Sequence, residues 1–220
     1  MNYSEKRMEN KYLISKQDKV AILKYISAFC KKDPHGIDGK YWVDSIYFDT
    51  KGLRSFNENI DGNQIKTKYR IRYYNKDLDN IKAEIKKKIG TLSSKLSFQI
   101  KLDNTYSAKS LLNLNNNEFI SRIIQDRLEP KVHIRYLREA FLPKIKSDIR
   151  ITFDSKLQYR ESFLKLNQEH LVPYHLEGYI MELKYSEPNF WILKLLADLK
   201  TKKVSFSKYC NTLQLSQKKN

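Results

Sequence analysis

Between Gln64 and Asn75 the chain sets Lys66, Lys68, Arg70 and Arg72 at every second position. Side chains two apart share one face of a β-strand, so these four cations point the same way. Ile65, Thr67, Tyr69, Ile71 and Tyr73 fall on the opposite face and read as packing residues. The next run repeats the arrangement, with Lys82, Glu84, Lys86 and Lys88 alternating against Ile81, Ala83, Ile85 and Ile89. Shorter versions recur as Arg7, Glu9 and Lys11, as Arg150 and Thr152, and as Glu182 and Lys184; Arg138 shares a face with Ile134 and Tyr136. An ordinary solvated strand face mixes small polar residues and both signs of charge. A face of Lys and Arg with an occasional Glu repels itself and calls for an anion. If the sheet closes with this face inward, it makes a cationic tunnel. Arg suits phosphate there because its planar fork pairs two oxygens at once. The interspersed acids, Glu9, Glu84 and Glu182, are places for a divalent cation, since hard cations take carboxylate oxygens. Basic side chains around a carboxylate-held metal make a triphosphate-handling site.

The elements that must position these residues follow from hydrophobic periodicity and turn signals. Strands are predicted over 7–14, 41–50, 64–75, 81–89, 95–101, 131–141, 148–154 and 177–184. Ser15, with Asp18 three residues on, reads as a capping box opening a helix. That helix runs through Ile22, Leu23, Ile26, Phe29 and Cys30 to a stop at Asp33-Pro34. Further helices are predicted over 107–114 and 118–128. Ser186-Glu187-Pro188 reads as the cap and first turn of a helix carrying Trp191, Leu195, Leu196 and Leu199. The polar stretch 51–63 is a connection or short helix in the position of a lid, and 206–210 reads as a short strand or turn. This is an α+β pattern: one domain over 1–215, then a flexible tail over 216–220.

The 220 residues carry 42 Lys+Arg against 25 Asp+Glu, a formal charge of +17, so the partner is anionic: nucleic acid, a phosphate-rich molecule or polymer, or an acidic membrane surface. At 40% hydrophobic the chain can bury a core and is not a disordered basic tail. No apolar run reaches the length of a membrane span and no signal-peptide core fits, so a cytoplasmic protein is expected. Cys30 and Cys210 are expected as reduced thiols. His35, His133, His170 and His175 show no metal or triad spacing, and no glycine-rich phosphate loop is present, so any nucleotide chemistry is not of the P-loop kind.

The ordered set of motifs resembles the VTC domain, the polyphosphate polymerase domain of the vacuolar transporter chaperone family, within the CYTH or triphosphate tunnel metalloenzyme superfamily. The matching pieces are Arg7-x-Glu9-x-Lys11-Tyr12, Ser45-Ile46-Tyr47-Phe48-Asp49-Thr50 and Lys68-Tyr69-Arg70-Ile71-Arg72-Tyr73. They continue with Glu84-Ile85-Lys86-x-Lys88, Tyr136-Leu137-Arg138-x-Ala140-Phe141 and Arg150-Ile151-Thr152-Phe153-Asp154. Met181-Glu182-Leu183-Lys184 and Phe206-Ser207-Lys208-Tyr209 close the series. The resemblance implies a closed antiparallel barrel of about eight strands, open at both ends, with helices packed outside. It implies that the tunnel binds ATP and inorganic polyphosphate, with Mn2+ or Mg2+ as cofactor, and transfers the ATP γ-phosphate onto the growing chain. Carried over by position, Lys11, Arg70, Arg72, Lys86, Arg138, Arg150 and Lys208 bind phosphate. Arg70, Arg72, Lys208 and Glu182 are the catalytic set. Glu182 matches the metal carboxylate and Glu9 the first-strand acid of the wider superfamily. Lys202 and Lys203 align loosely before the last motif and stay off the list. Eukaryotic members add a phosphate-sensing domain and membrane helices; neither is found here, so this chain is expected to act in the cytoplasm, alone or beside a separate membrane partner.

Three other functions stay open on the residues: a triphosphatase using the same tunnel, a polyphosphate-binding module without turnover, and an RNA-binding β-barrel whose 15 Tyr and 10 Phe stack bases. Specific nucleic-acid binding is not expected, because rows of cations inside a closed barrel admit only a chain as slender as linked phosphates.

Overall fold

A closed antiparallel barrel forms the body of the chain in the computed structural model, which describes residues 2–101, 118–161, 170–199 and 201–217. Ten strands lie in one sheet: β1 Asn2–Ile14, β2 Cys30–Lys32, β3 Lys40–Asp49, β4 Ile65–Tyr74, β5 Asp77–Ile89, β6 Leu92–Ile100, β7 Glu129–Pro143, β8 Arg150–Glu161, β9 Val172–Pro173 and β10 Tyr179–Tyr185. Eight of them close in the order β7-β3-β4-β5-β6-β1-β10-β8, with β8 pairing back to β7; β2 and β9 attach outside the ring. The helices among the described residues are α1 Lys16–Ile26, α2 Arg54–Ile60, α3 Glu118–Gln125, α4 Phe190–Asp198 and α5 Lys208–Gln217. The predicted helix at 107–114 lies outside the described residues.

Strand alternation turns the barrel inside out relative to an ordinary domain. The outward side chains of β3 to β6, among them Ile46, Tyr69, Ile71, Ile81 and Ala83, bury against Phe119, Ile120 and Ile123 of α3. Those of β1, β8 and β10, including Tyr12, Ile151, Phe153, Met181 and Leu183, bury against Ile22 and Ile26 of α1 and Ile192 and Leu195 of α4. The inner face is left to the charged residues. One sector of it is apolar: Val43, Tyr47, Ile134 and Tyr136 receive Tyr209 and Leu213 of α5. Lys156, with φ of 49°, sits at a register shift between β7 and β8. There β8 changes phase, from inward Thr152 and Asp154 to Leu157 and Tyr159 in the α5 cluster.

Helix boundaries depart from the sequence pattern at several places. Ser15 caps α1 reciprocally with Asp18, as expected, a device worth about 1 kcal/mol. The helix ends at Ile26, however, because Cys30–Lys32 leaves to pair with β7. The cap of α4 is Asn189, whose Oδ1 accepts from the Ile192 amide, while the Ser186 amide donates to Asp148. The stretch expected as a strand or turn at 206–210 opens α5, with Ser207 Oγ accepting from the Cys210 amide at 3.3 Å. Ser216 Oγ donates back to the Thr212 and Leu213 carbonyls within that helix, which runs to Gln217; 218–220, the rest of the expected tail, lie outside the described residues.

Candidate active site in the barrel lumen

A cavity of about 430 Å³ occupies the lumen, lined by eleven Lys or Arg side chains from β1, β4, β5, β7, β10 and the segment leading into α5. Two carboxylates, Glu9 and Glu182, join them, and Glu84 and Asp154 stand buried behind. Lys11, Arg70, Arg72, Lys86, Arg138, Lys208, Glu182 and Glu9 all come together here. Arg150 does not. It faces the lumen beyond this cavity, where its guanidinium meets the carboxylate of Asp33 at 2.5 Å and Tyr41 Oη at 2.9 Å.

Two buried carboxylates order the arginines. Glu84 accepts from Arg70 Nε at 2.7 Å and from Lys95 at 2.7 Å, with Arg72 Nη1 at 3.8 Å. Burial pushes the Glu84 carboxyl up, but Arg70, Arg72 and Lys95 hold it well below the usual range. Glu84 thus has Arg70, Arg72 and Lys95 gathered around its carboxylate. Asp154 forms a two-pronged pair with Arg138, at 2.7 and 2.8 Å, and accepts from Lys208 at 2.6 Å. Burial acts against its charge, and Arg138 and Lys208 overcome it, leaving the carboxyl below its ordinary value. Hydroxyls fix the guanidinium planes: Arg70 donates to Tyr47, and Arg72 to Ser45 and Tyr136.

Glu9 and Glu182 form the second centre. Lys86 reaches Glu9 at 2.5 Å and Lys11 lies 3.5 Å from it, while Lys184 stands 3.9 Å from Glu9 and 3.5 Å from Glu182. Burial raises the Glu9 carboxyl, and Lys184 and Lys86 more than reverse that, carrying it well below normal. Lys86 shows the cost of gathering cations: burial, then Lys184 and Lys11, against the pull of Glu9, depress it to about 8. Tyr47 is also brought to about 8, burial being outweighed by Arg70 and Arg72. Toward the start of β4 the cavity is edged by Lys66, Lys88 and Lys203.

The expected set of site residues left out several side chains that line the lumen, most of them already on the inward faces by strand alternation. Lys184 sits two positions after Glu182, so alternation alone placed it inside. Lys66, Lys68 and Lys88 were on the right faces by the same rule. Lys203 comes from an irregular segment with no periodic signal, held by the Val204 amide bonding to Lys11 O. Asp154 and Tyr136 were in view only as parts of motifs, and their partners are set by the closure of β7 on β8 and by α5.

This fold, with cations and paired carboxylates inside a closed antiparallel ring, is the triphosphate tunnel, and it defines a class of enzymes handling triphosphate or polyphosphate. The family model for the VTC domain matches residues 6–217, and the chain belongs to that family. No curated protein matches the sequence. Among solved structures, the Hippeastrum protein HpAC1, for which a dominant triphosphatase activity is described, aligns over 97% of this chain and 96% of its own at a TM-score of 0.52 and 13% identity. The PH1819 protein of Pyrococcus horikoshii aligns over 96% and 98% at 0.49 and 14% identity. A candidate adenylate cyclase from Vibrio parahaemolyticus aligns over 97% and 88% at 0.46 and 14%. No helix among the described residues is long and apolar enough to cross a membrane.

Proposed function

We propose that this chain is a polyphosphate polymerase that transfers the γ-phosphate of ATP onto the end of an inorganic polyphosphate chain in the lumen. The observation that carries this reading is the state of the lumen acids. Glu9, Glu84, Asp154 and Glu182 each have Lys or Arg within 4 Å, so none stands unpaired to activate water. A terminal phosphate oxygen is already anionic at neutral pH and needs no such base. Catalysis then rests on positioning and charge neutralisation, the main requirement of phosphoryl transfer.

The donor set fits a hard divalent cation. No group of three or more metal-ligating side chains occurs among the described residues, and Glu9 and Glu182 lie side by side at the cavity wall. One or two carboxylates completed by water and substrate phosphates is the pattern for Mg2+ and suits Mn2+ equally. When bound there, the ion neutralises charge on the phosphate oxygens. Arg70 and Arg72, locked by Glu84, Tyr47, Ser45 and Tyr136, present fixed donors to the phosphoryl group in transit. Arg138 and Lys208, shared with Asp154, hold a neighbouring phosphate. Lys11, Lys86 and Lys184 neutralise the polymer behind it, and Lys66, Lys88 and Lys203 draw anions in.

Hydrolysis is a second reading with one observation in its favour: Tyr47, at about 8, is a hydroxyl able to orient water beside Arg70. HpAC1 shows that a chain of this fold can have triphosphatase activity. Incubation with γ-labelled ATP and Mn2+, resolved on a gel that separates polymer from orthophosphate, decides. Labelled polymer is expected, abolished by chelator and by Glu182→Gln. Orthophosphate alone makes the chain a hydrolase, and binding of polyphosphate without turnover makes it a carrier. Turnover indifferent to chelator overturns the metal assignment.

A further inference from the structure

Four aliphatic side chains stand exposed around the rim where β4 begins and β5 turns into β6. Ile65 is 54% exposed, Ile89 48%, Leu92 40%, and Ile60, at the end of α2, 49%. Register makes three of them one row: Ile65 pairs with Ile89, Ile89 with Leu92, and Leu92 with half-buried Met8. Cross-strand partners share a face, so the row is continuous across four strands on the outside of the barrel. It crowns a projection rather than lining a groove. A side chain added at Gly90, in the β5–β6 turn, or at Gly62, between α2 and β4, would meet nothing within 4 Å, and the Gly90 amide bonds Gln64 O to tie the two tips together. Immediately inside the row, Lys66 pairs with Lys88, and Lys87 is exposed on the outer face beside them.

We infer that this rim is a docking surface for an anionic lipid bilayer. Charge chooses the occupant. A second copy would bring its own Lys87 against this one, whereas acidic headgroups neutralise Lys87 on the outer face. Shape agrees, because aliphatic tips on a projecting edge fit a deformable interface and have no pocket to fill. Binding of this kind scales with the apolar area inserted plus attraction to acidic lipid, so both parts of the rim contribute. The inference is independent of the reaction in the lumen.

The test uses the full chain and phosphatidylcholine vesicles with or without phosphatidylserine, read by co-sedimentation at physiological salt. Binding is expected only with phosphatidylserine. The double variant Ile89→Asn/Leu92→Asn should weaken it about tenfold or more while leaving ATP turnover without vesicles, and the melting profile, unchanged. Saturating the lumen with polyphosphate beforehand should leave vesicle binding in place. Equal binding to both vesicles, or no binding, overturns the proposal. So does loss of binding on adding polyphosphate, which would mean that lumen cations were holding headgroups. If sedimentation velocity instead shows a dimer that the double variant dissolves, the row is a protein interface. Should that variant unfold, Lys87→Glu answers instead: unchanged binding to acidic vesicles overturns the docking surface, and weakened binding upholds it.

Discussion

Asp154 shows how a lumen built for anions survives without one. Its carboxylate takes two bonds from Arg138 and one from Lys208, standing where a phosphate would otherwise neutralise both. Removing one partner from such a buried group costs about 3–5 kcal/mol, because the remaining charges are left unpaired. We expect Asp154→Asn to destabilise the free protein by about that amount, seen as a lower melting point, and to gain more than wild type from added polyphosphate. An equal ligand-induced shift in both would count against the substitution of phosphate for carboxylate. Arg138 and Arg150 separate on the same logic. Arg138 faces the cavity, and losing a charge-assisted bond worth about 1.5–3 kcal/mol should slow turnover roughly 10–150-fold. Arg150 is engaged by Asp33 and Tyr41 away from it. Arg150→Ala should cost turnover much less, as steady-state rates on folded variants will tell.

The inward face of β5 carries the pH response. Lys86 sits at about 8, and Tyr47, also facing the lumen from β3, at about 8, both shifted downward. Raising the pH through this value removes a positive charge at Lys86 and adds a negative one at Tyr47, so affinity for polyphosphate should fall between pH 7 and 9. Stability of the free protein moves the other way. Both groups bind protons less readily folded than unfolded, so their contribution is lost as pH falls through about 8 and grows above it toward their unfolded values. Titration calorimetry and thermal melts over one pH series check the two signs; parallel trends would rule this assignment out. Elements of this sort were legible because strand alternation is a strict period of two: Lys66 to Arg72 declared their shared face outright. Helix ends were less so. Phe29 and Cys30 continue the periodicity of α1, and only pairing of Cys30–Lys32 with β7 ends it. Asn189 rather than Ser186 caps α4, accepting from the Ile192 amide, and the Ser186 amide donates to Asp148, a contact invisible along the chain. The same limit hid Asp33 as the partner of Arg150, 117 residues away.

At the scale of the whole molecule, closure decides which polyanion is accepted. The net charge of +17 attracts nucleic acid and polyphosphate alike, with affinities that fall as salt rises. A slender chain is expected to reach the lumen cations where a duplex is not. We expect long-chain polyphosphate to displace bound DNA at physiological salt, while DNA, confined to outer lysines such as Lys31 and Lys32, displaces polyphosphate only in large excess. An RNA that wins this competition would show the basic rows to be open to bases. The order of the strands adds one more consequence. Asn10 on β1 bonds Tyr185 on β10 across 175 residues, and β10 is the strand that joins β1 to β8. On the ribosome β1 must therefore wait, unpaired on one edge and with its cations bare, until β10 has emerged. Such distant pairing is slow, and waiting edges invite misassembly. The active site consequently has no intermediate form: a message cut short anywhere before β10 yields the lysines and arginines but never the lumen that gives them a use.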